Sequence, residues 1–134
     1  MKIWTSYFAK LDKLRQLGFK DFVAVSGYVP EFYQNVMDNN PYKHLITCRR
    51  CIELAPKKSW FFDWKNGKFD NDEYVRLYSQ TVLNTLDIKE VLKQFENNTV
   101  LLCYEKSGDF CHRHLIAQWL KDNGIECEEV DTNV

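Results

Sequence analysis

Most of the side chains that could do chemistry lie in one stretch near the C-terminal end of the chain. Eleven consecutive positions hold two thiols, a carboxylate, an imidazole and a guanidinium, which belong to Cys103, Glu105, Cys111, His112 and Arg113. Thiolates act as nucleophiles, and carboxylates and imidazoles act as general acids and bases. We take these five residues as the candidate catalytic set, with Cys111 as nucleophile and Glu105 or His112 as general base.

The sequence around this set predicts a strand, a loop and a helix. The apolar run at 100–103 is typical of a short buried strand, and a helical pattern begins near Cys111. Asp109 would then cap the helix by accepting a free backbone amide proton. The partial positive charge of a helix N-terminus favours the thiolate form of Cys111 and an anion beside Arg113.

The apolar face of this helix indicates where its two histidines point. Apolar residues recur at spacings of three and four, at Leu115, Ile116, Trp119 and Leu120. His112 falls on this face and should point inward, whereas His114 falls nearly opposite and should be solvated. An inward histidine is more often a core group than a catalyst, and a buried cysteine often acts as a small apolar residue. Catalytic and structural roles both remain open here.

The rest of the chain predicts an α/β fold. Strand-like runs at 3–5 and 22–25 flank a helical pattern that ends at Gly18, which implies a parallel pair. Helical patterns follow Pro30, and capping-box spacings predict two more helices at Asp70/Glu73 and Asp87/Glu90. A final strand at 125–130 is acidic and should lie near a sheet edge. We predict one domain, residues 1–134, with a three-layer Rossmann-like architecture and a mostly parallel sheet of about four or five strands.

Polar residues follow three of the predicted strands. Ser6 and Tyr7 end the first strand, Ser26 ends the second, and Cys103 with Glu105 end the later one. Ligands of open parallel sheets bind outside the carboxyl ends of the strands. We therefore predict Ser6, Tyr7 and Ser26 as ligand-binding residues. The segment 38–66 shows no clear period, and its aromatic residues predict a lid or wall over the sheet edge: Trp60, Phe61, Phe62 and Trp64.

Composition limits the classes of partner. The chain has 134 residues with 45% hydrophobic content, so it can build a core. A net charge of −1 disfavours general attraction to nucleic acid, although the basic segment from Lys43 to Lys58 leaves local binding open. No apolar run has the length of a membrane span and no signal-peptide pattern is present, so we expect a cytoplasmic protein without a membrane partner.

The five cysteines allow two further interpretations. In a reducing compartment they should be thiols, thiolates or metal ligands. Cys48 and Cys51 form a CxxC pair that Cys103, Cys111 or His112 could complete as a zinc site, and no other cofactor is expected. A redox pair would need a strand before Cys48, which the sequence does not predict. The spacing also does not match the CxxxxxR of a phosphatase loop, because Asp109 stands six residues after Cys103.

The run from Leu101 to Arg113, a CxE element followed by CHR, resembles the signature of the family called domain of unknown function 488, DUF488. The segments 4–8, 23–26, 54–56 and 69–78 are also similar to variants of that family, so the resemblance covers nearly the whole chain. Many members carry an Asp-Val-Arg-like run where this chain has Val25-Ser26-Gly27. The resemblance implies a compact α/β domain. With the residues above, it predicts a pocket for a small anionic ligand or substrate at the CxE and CHR elements.

Overall fold

The computed structural model describes residues 1–39, 45–105 and 109–132. Its five strands are β1 Lys2–Tyr7, β2 Asp21–Ala24, β3 Thr47–Arg50, β4 Val100–Cys103 and β5 Glu126–Glu129. Its helices are α1 Leu11–Gln16, α2 Glu31–Asn39, α3 Lys58–Lys65, α4 Asn71–Thr81, α5 Ile88–Leu92 and α6 His112–Asp122. Short 3-10 turns cover Phe8–Lys10, Ile52–Leu54 and Leu83–Thr85.

The five strands form one all-parallel sheet in the order β3-β2-β4-β1-β5. Side chains of β4 alternate between two apolar cores: Leu101 and Cys103 face one core, and Val100 and Leu102 face the other. Both faces of the central strands are therefore covered by helices, which explains their unbroken apolar runs. The predicted three-layer, Rossmann-like α/β fold is confirmed.

The pairing of β1 with β2 is a correction to the sequence-based expectation. The two strands are parallel, but β4 lies between them and pairs with both, so that Val100 is the register partner of Trp4 and of Phe22. A strand–helix–strand pattern sets direction but does not prevent a later strand from inserting between the two. As a consequence, the carboxyl ends of β1, β4 and β2 lie side by side, with β4 in the centre.

The segment with no clear sequence period includes a strand and an α-helix that the sequence did not predict. β3 is a short edge strand of sequence Thr-Cys-Arg-Arg, whose polar residues hide the strand pattern. The helix α3 carries the aromatic residues, and its N-cap residue Lys57 makes no side-chain capping bond, so the usual start signal is missing. Of the four aromatics predicted to form a lid or wall, Phe61 and Phe62 line a cavity at the sheet edge, whereas Trp60 and Trp64 pack against the core.

The helix caps agree with the sequence in two cases and differ in one. Asp70 accepts a hydrogen bond of 3.0 Å from the Glu73 amide, and Asp87 accepts one of 3.0 Å from the Lys89 amide. The prediction that Asp109 caps α6 is wrong, because the helix begins at His112 and its N-cap is Cys111, without a side-chain capping bond. None of the helices in the described ranges is long and apolar enough to cross a bilayer.

The α4 helix is tied to the turn before α3 by one buried hydrogen bond. The hydroxyl of Tyr78 donates to the carbonyl of Leu54 over 2.6 Å, and both residues are fully buried. We expect Tyr78→Phe to lower the free energy of unfolding by about 1–2 kcal/mol, because the carbonyl loses its donor away from water. Urea unfolding measures this. The control Tyr28→Phe removes the hydroxyl of a half-exposed tyrosine and should change stability by less than about 0.5 kcal/mol. Equal effects of the two variants would contradict the assignment.

Candidate functional site

A cavity of about 310 Å³ opens at the carboxyl edge of the sheet, between α3 and the loops that follow β2 and β4. Three of the residues predicted from sequence line it, namely Ser26, Glu105 and His112. Its volume lies at the lower end of the range of small-ligand pockets. The position agrees with the rule that ligands of parallel sheets bind beyond the carboxyl ends of the strands.

One face of α3 forms a wall of the cavity. Lys58, Phe61, Phe62 and Lys65 follow the i, i+3, i+4, i+7 spacing that places side chains on one side of a helix, and all four line the cavity. The Phe62 ring lies 6.3 Å from the ring of Tyr28, and the ammonium of Lys58 lies 5.0 Å above the Tyr28 ring. Within the described part of the chain neither lysine forms a salt bridge.

The remaining aromatic residues of α3 anchor the wall on the core. The rings of Trp60 and Trp64 lie 4.9 and 4.8 Å from the ring of Tyr74, both edge to face. The indole of Trp60 also donates to the hydroxyl of Thr81 over 3.0 Å. Aromatic pairs of this kind add about 0.5–1.5 kcal/mol beyond area burial. The cavity-facing residues are therefore carried on a helix whose opposite side is fixed to α4.

His112 points inward from the start of α6, as its position on the apolar face predicts. Its Nε2 lies 2.7 Å from the carbonyl oxygen of Val25, so this nitrogen must donate and the neutral ring keeps its lone pair on Nδ1. Burial lowers the pKa of His112 to about 4, the bond to Val25 acts in the opposite sense, and the charge of Arg113 lowers it further. Nδ1 faces Cys111 Sγ at 3.8 Å. His114 is exposed, as expected.

Arg113 has no solvent-exposed surface, and its guanidinium is occupied by groups of the protein itself. Its Nη2 donates to a carboxylate oxygen of Glu129 over 2.8 Å, and Nη1 donates to Cys103 Sγ over 2.9 Å and to the carbonyl of Glu105. The face of Tyr7 lies 5.5 Å from the guanidinium carbon. The anion that we expected beside Arg113 is therefore the side chain of Glu129, and a ligand would have to displace it.

Glu129 is the site residue that sequence reasoning missed. Burial acts to raise its pKa, but hydrogen bonds from Arg113 and Thr5 and the Arg113 charge outweigh it and hold the pKa below the ordinary value. Thr5 is its register partner on β1. On an acidic edge strand a glutamate looks solvated, so the only available signal was the need of a buried arginine for a carboxylate.

Cys103 and Cys111 lie together behind the cavity with Glu105 beside them. Their sulfurs form a disulfide, so the expectation that the cysteines are thiols, thiolates or metal ligands is wrong for this pair. The Cα atoms are 7.6 Å apart, and both residues are almost completely buried. The ligand atoms of Cys103, Glu105 and Cys111 all lie within 4.8 Å of one another. Among the described residues this is the single cluster of His, Cys, Asp and Glu with metal-site spacing.

Two of the predicted ligand-binding residues lie away from the cavity. Ser6 is buried in β1, and Tyr7 lies half-buried beside Arg113; neither lines the cavity. Ser26 does line it, and its hydroxyl donates to the carbonyl of Tyr28. The structure therefore divides the eight predicted residues into three at the cavity and five in the packed layer beneath it.

The CxxC pair does not join the cluster. Cys48 lies within β3, and Cys51 lies directly after it, before a short 3-10 turn. Among the described residues, neither cysteine belongs to a group with metal-site spacing, so nothing in the geometry supports the zinc alternative. Burial raises the pKa of both thiols to about 12, with further increases from Asp21 at Cys48 and from Glu53 at Cys51. Both are protonated thiols at neutral pH.

The basic segment is partly used inside the fold. Arg49 pairs with the buried carboxylate of Asp21 over 2.7 Å, and Arg50 donates to the carbonyl of Gly27 over 2.7 Å. Lys43, at the start of that segment, lies outside the described residues. Two of its cations are therefore committed to the protein itself, which weakens the case for a nucleic-acid surface.

The DUF488-N3a family, described as the active DUF488-N3 subclade, matches residues 13–124 of the chain. The chain therefore belongs to the DUF488 family. It is also similar to a phosphoribosyl-AMP cyclohydrolase from Nitrosopumilus maritimus (strain SCM1), with 29% identity over 94 residues that cover 69% of this chain and 82% of that protein. No solved structure matches the chain.

Removal of the Glu129 charge should destabilise the protein strongly. In Glu129→Gln the buried guanidinium of Arg113 loses its counter-charge, and we expect the free energy of unfolding to fall by about 3 kcal/mol. The control Glu128→Gln removes a charge from the same strand, where the carboxylate pairs with Lys2 at the surface, and should cost less than about 1 kcal/mol. Both values come from urea unfolding. A small loss in Glu129→Gln would show that Arg113 does not depend on it.

The buried neutral imidazole should make stability depend on pH. Because the pKa of His112 falls from 6.5 to about 4 on folding, its contribution is complete above pH 6.5 and is lost as the pH falls toward 4. The stability difference between wild type and His112→Gln should therefore shrink by about 3 kcal/mol over that interval. Urea titrations at a series of pH values measure the difference, with His114→Gln as the exposed control. A difference that does not vary with pH would contradict a buried neutral His112.

Proposed function

We propose that the protein binds a nucleotide-like ligand in the cavity at the carboxyl edge of the sheet, with the flat base against α3 and an anionic group at its lysines. One observation carries the proposal: a single helix face presents two aromatic rings between two lysines that lack salt-bridge partners in the described chain. Aromatic faces stack on bases, and ammonium groups bind phosphate or carboxylate.

The spacing of that face suits a ligand with an apolar body and a charged end. Lys58 and Lys65 are separated by two helical turns, or about 10 Å along the axis. Phe61 and Phe62 occupy the interval between them, and the half-exposed ring of Phe62 faces Tyr28 across the mouth of the cavity. A base could stack on the exposed part of the Phe62 ring while either lysine holds the anionic group.

The inner end of the cavity supplies the polar contacts. The carboxylate of Glu105 is partly exposed there and can accept hydrogen bonds from an amino group or a hydroxyl. His112 closes the back, and its ring is fixed by Val25. In this arrangement Glu105 is the carboxylate within reach of a ligand, and Cys111, which does not line the cavity, is not the nucleophile.

The comparisons support this ligand class without defining a reaction. The relative from Nitrosopumilus maritimus is named for phosphoribosyl-AMP, which is a nucleotide, and the matching subclade is described as active. Three of the five cysteines, Cys48, Cys51 and Cys127, are free thiols, which supports our proposal of a cytoplasmic location. We take the ligand to be a small nucleotide rather than a nucleic-acid strand, because the net charge is −1.

Calorimetric titration with AMP and with adenosine tests the proposal. We expect AMP to bind at least about tenfold more tightly than adenosine, and Lys58→Gln or Lys65→Gln to weaken AMP binding by about tenfold without changing adenosine binding. Phe62→Ala should weaken both ligands, since it removes the stacking surface. The matched control is Lys68→Gln, because Lys68 lies just beyond α3 and pairs with Asp63 at the surface.

The AMP affinities of the variants, compared with one another, distinguish a nucleotide site from general charge attraction. Equal weakening by Lys68→Gln and Lys58→Gln would show general charge attraction rather than a site. Absence of AMP binding by the wild-type protein, or unchanged binding in Phe62→Ala, would refute the nucleotide pocket.

A further inference from the structure

We propose that Cys103, Glu105 and Cys111 bind a divalent metal ion of the zinc class behind the cavity. Two thiolates and a carboxylate are a ligand set that zinc accepts readily, whereas magnesium and calcium prefer sets made only of oxygen. The CxE element contributes two of the ligands and the CHR element the third. This set differs from the CxxC-based zinc site considered from sequence, because Glu105 takes the place of Cys48 and Cys51.

The ligand atoms are close enough together to bind one small ion once the disulfide is reduced. All three lie within 4.8 Å of one another, and after reduction the two sulfurs would separate to about 3.8 Å, as in a tetrahedral zinc site. The Cα atoms of Cys103 and Cys111 are 7.6 Å apart, which exceeds the separation of about 4.4–6.8 Å that a disulfide usually spans. An ion between the two reduced sulfurs would suit this wider Cα separation.

The elements that carry the ligands are rigid and hold them close together. Cys103 ends the central strand β4, and Cys111 is the N-cap of α6, whose first two residues are buried. Arg113 Nη1 donates to Cys103 Sγ over 2.9 Å, which is the kind of outer hydrogen bond that orients and stabilises a metal-bound thiolate. A dithiol or a phosphine would first reduce the disulfide to two thiols, and the reductant would be oxidised in the exchange. Each thiol would then release its proton to solvent as its sulfur–metal bond forms.

Three protein ligands leave a fourth position on the ion. Glu105 belongs both to this set and to the lining of the cavity, so the cavity is the side from which a water molecule or ligand can reach the metal. Zinc sites with three protein ligands and one open position are typical of catalysis, whereas structural sites have four protein ligands. The proposal adds a metal to the pocket but does not depend on the identity of its ligand.

Cobalt titration of the full chain tests the site, after reduction with a phosphine and removal of metals. We expect one Co²⁺ per chain, with a thiolate-to-cobalt charge-transfer band and the visible bands of tetrahedral cobalt. Cys103→Ser and Cys111→Ser should each lower Co²⁺ affinity by about 100-fold or more, and Glu105→Gln by about tenfold. The control Cys127→Ser removes a buried thiol of β5 that lies outside the set and should keep both band and affinity.

A second measurement needs no variant that could fail to fold. The ¹¹³Cd chemical shift of cadmium-loaded wild-type protein reports how many sulfurs bind the ion, and we expect two. A shift for four sulfurs or for none, or a wild-type protein that binds neither cobalt nor cadmium after reduction, would overturn the proposal. Equal loss of affinity in Cys127→Ser would also overturn it. Because no nucleotide is present, failure here leaves the AMP titrations unaffected, and the reverse also holds.

Discussion

Arg113 carries its positive charge in a position with no exposure to solvent, and the arrangement around the site depends on how that charge is compensated. Removing a guanidinium from water costs several kcal/mol unless its donors are met. The Glu129 carboxylate accepts hydrogen bonds from Nε and Nη2. Cys103 Sγ and the Glu105 carbonyl accept hydrogen bonds from Nη1. These contacts join α6 to β5, to the end of β4 and to the loop after it. The start of α6 is therefore fixed over the centre of the sheet edge.

The contacts of Arg113 also fix the position of His112, because His112 directly precedes it on the first turn of α6. Its bond to the Val25 carbonyl links α6 to the end of β2, so two consecutive polar residues connect the helix to both sides of β4. Each is buried and satisfied, which makes both of them positioning groups. The side chains that can reach a ligand are the partly exposed Glu105 and the cavity-facing residues of α3. The residues of the CHR element thus support the pocket from beneath.

The sequence was sufficient for those parts of the site that depend on local periodicity. The strand, loop and helix around Cys103 and Cys111, the inward direction of His112 and the meeting of strand ends all follow from apolar spacing and from the rules of parallel sheets. The cap at Asp109 was wrong because one or two residues of uncertainty in a helix start decide which side chain can cap it. Local sequence signals locate the start of a helix only to within one or two residues.

The remaining parts required tertiary information. The β3 strand has two arginines, one of which is drawn into the edge of the sheet by Asp21, so its pattern does not look like a strand. The α3 helix begins without a side-chain cap and is stabilised mainly by Trp60 and Trp64 packing on Tyr74. The ion pair between Arg113 and Glu129 joins α6 to β5, and it forms because the fold buries the guanidinium of Arg113. Each of these features depends on contacts that form only after the sheet has assembled.

The most direct test of the account is an NMR titration of the ¹⁵N-labelled chain with AMP, read as changes in backbone amide shifts. The account predicts that the largest changes occur along α3 and in the residues after β2 and β4, from Ser26 to Tyr28 and at Tyr104 and Glu105. A second cavity of about 470 Å³ lies beside Phe8, Phe32 and Val36. Shift changes concentrated there, with α3 unperturbed, would contradict the account.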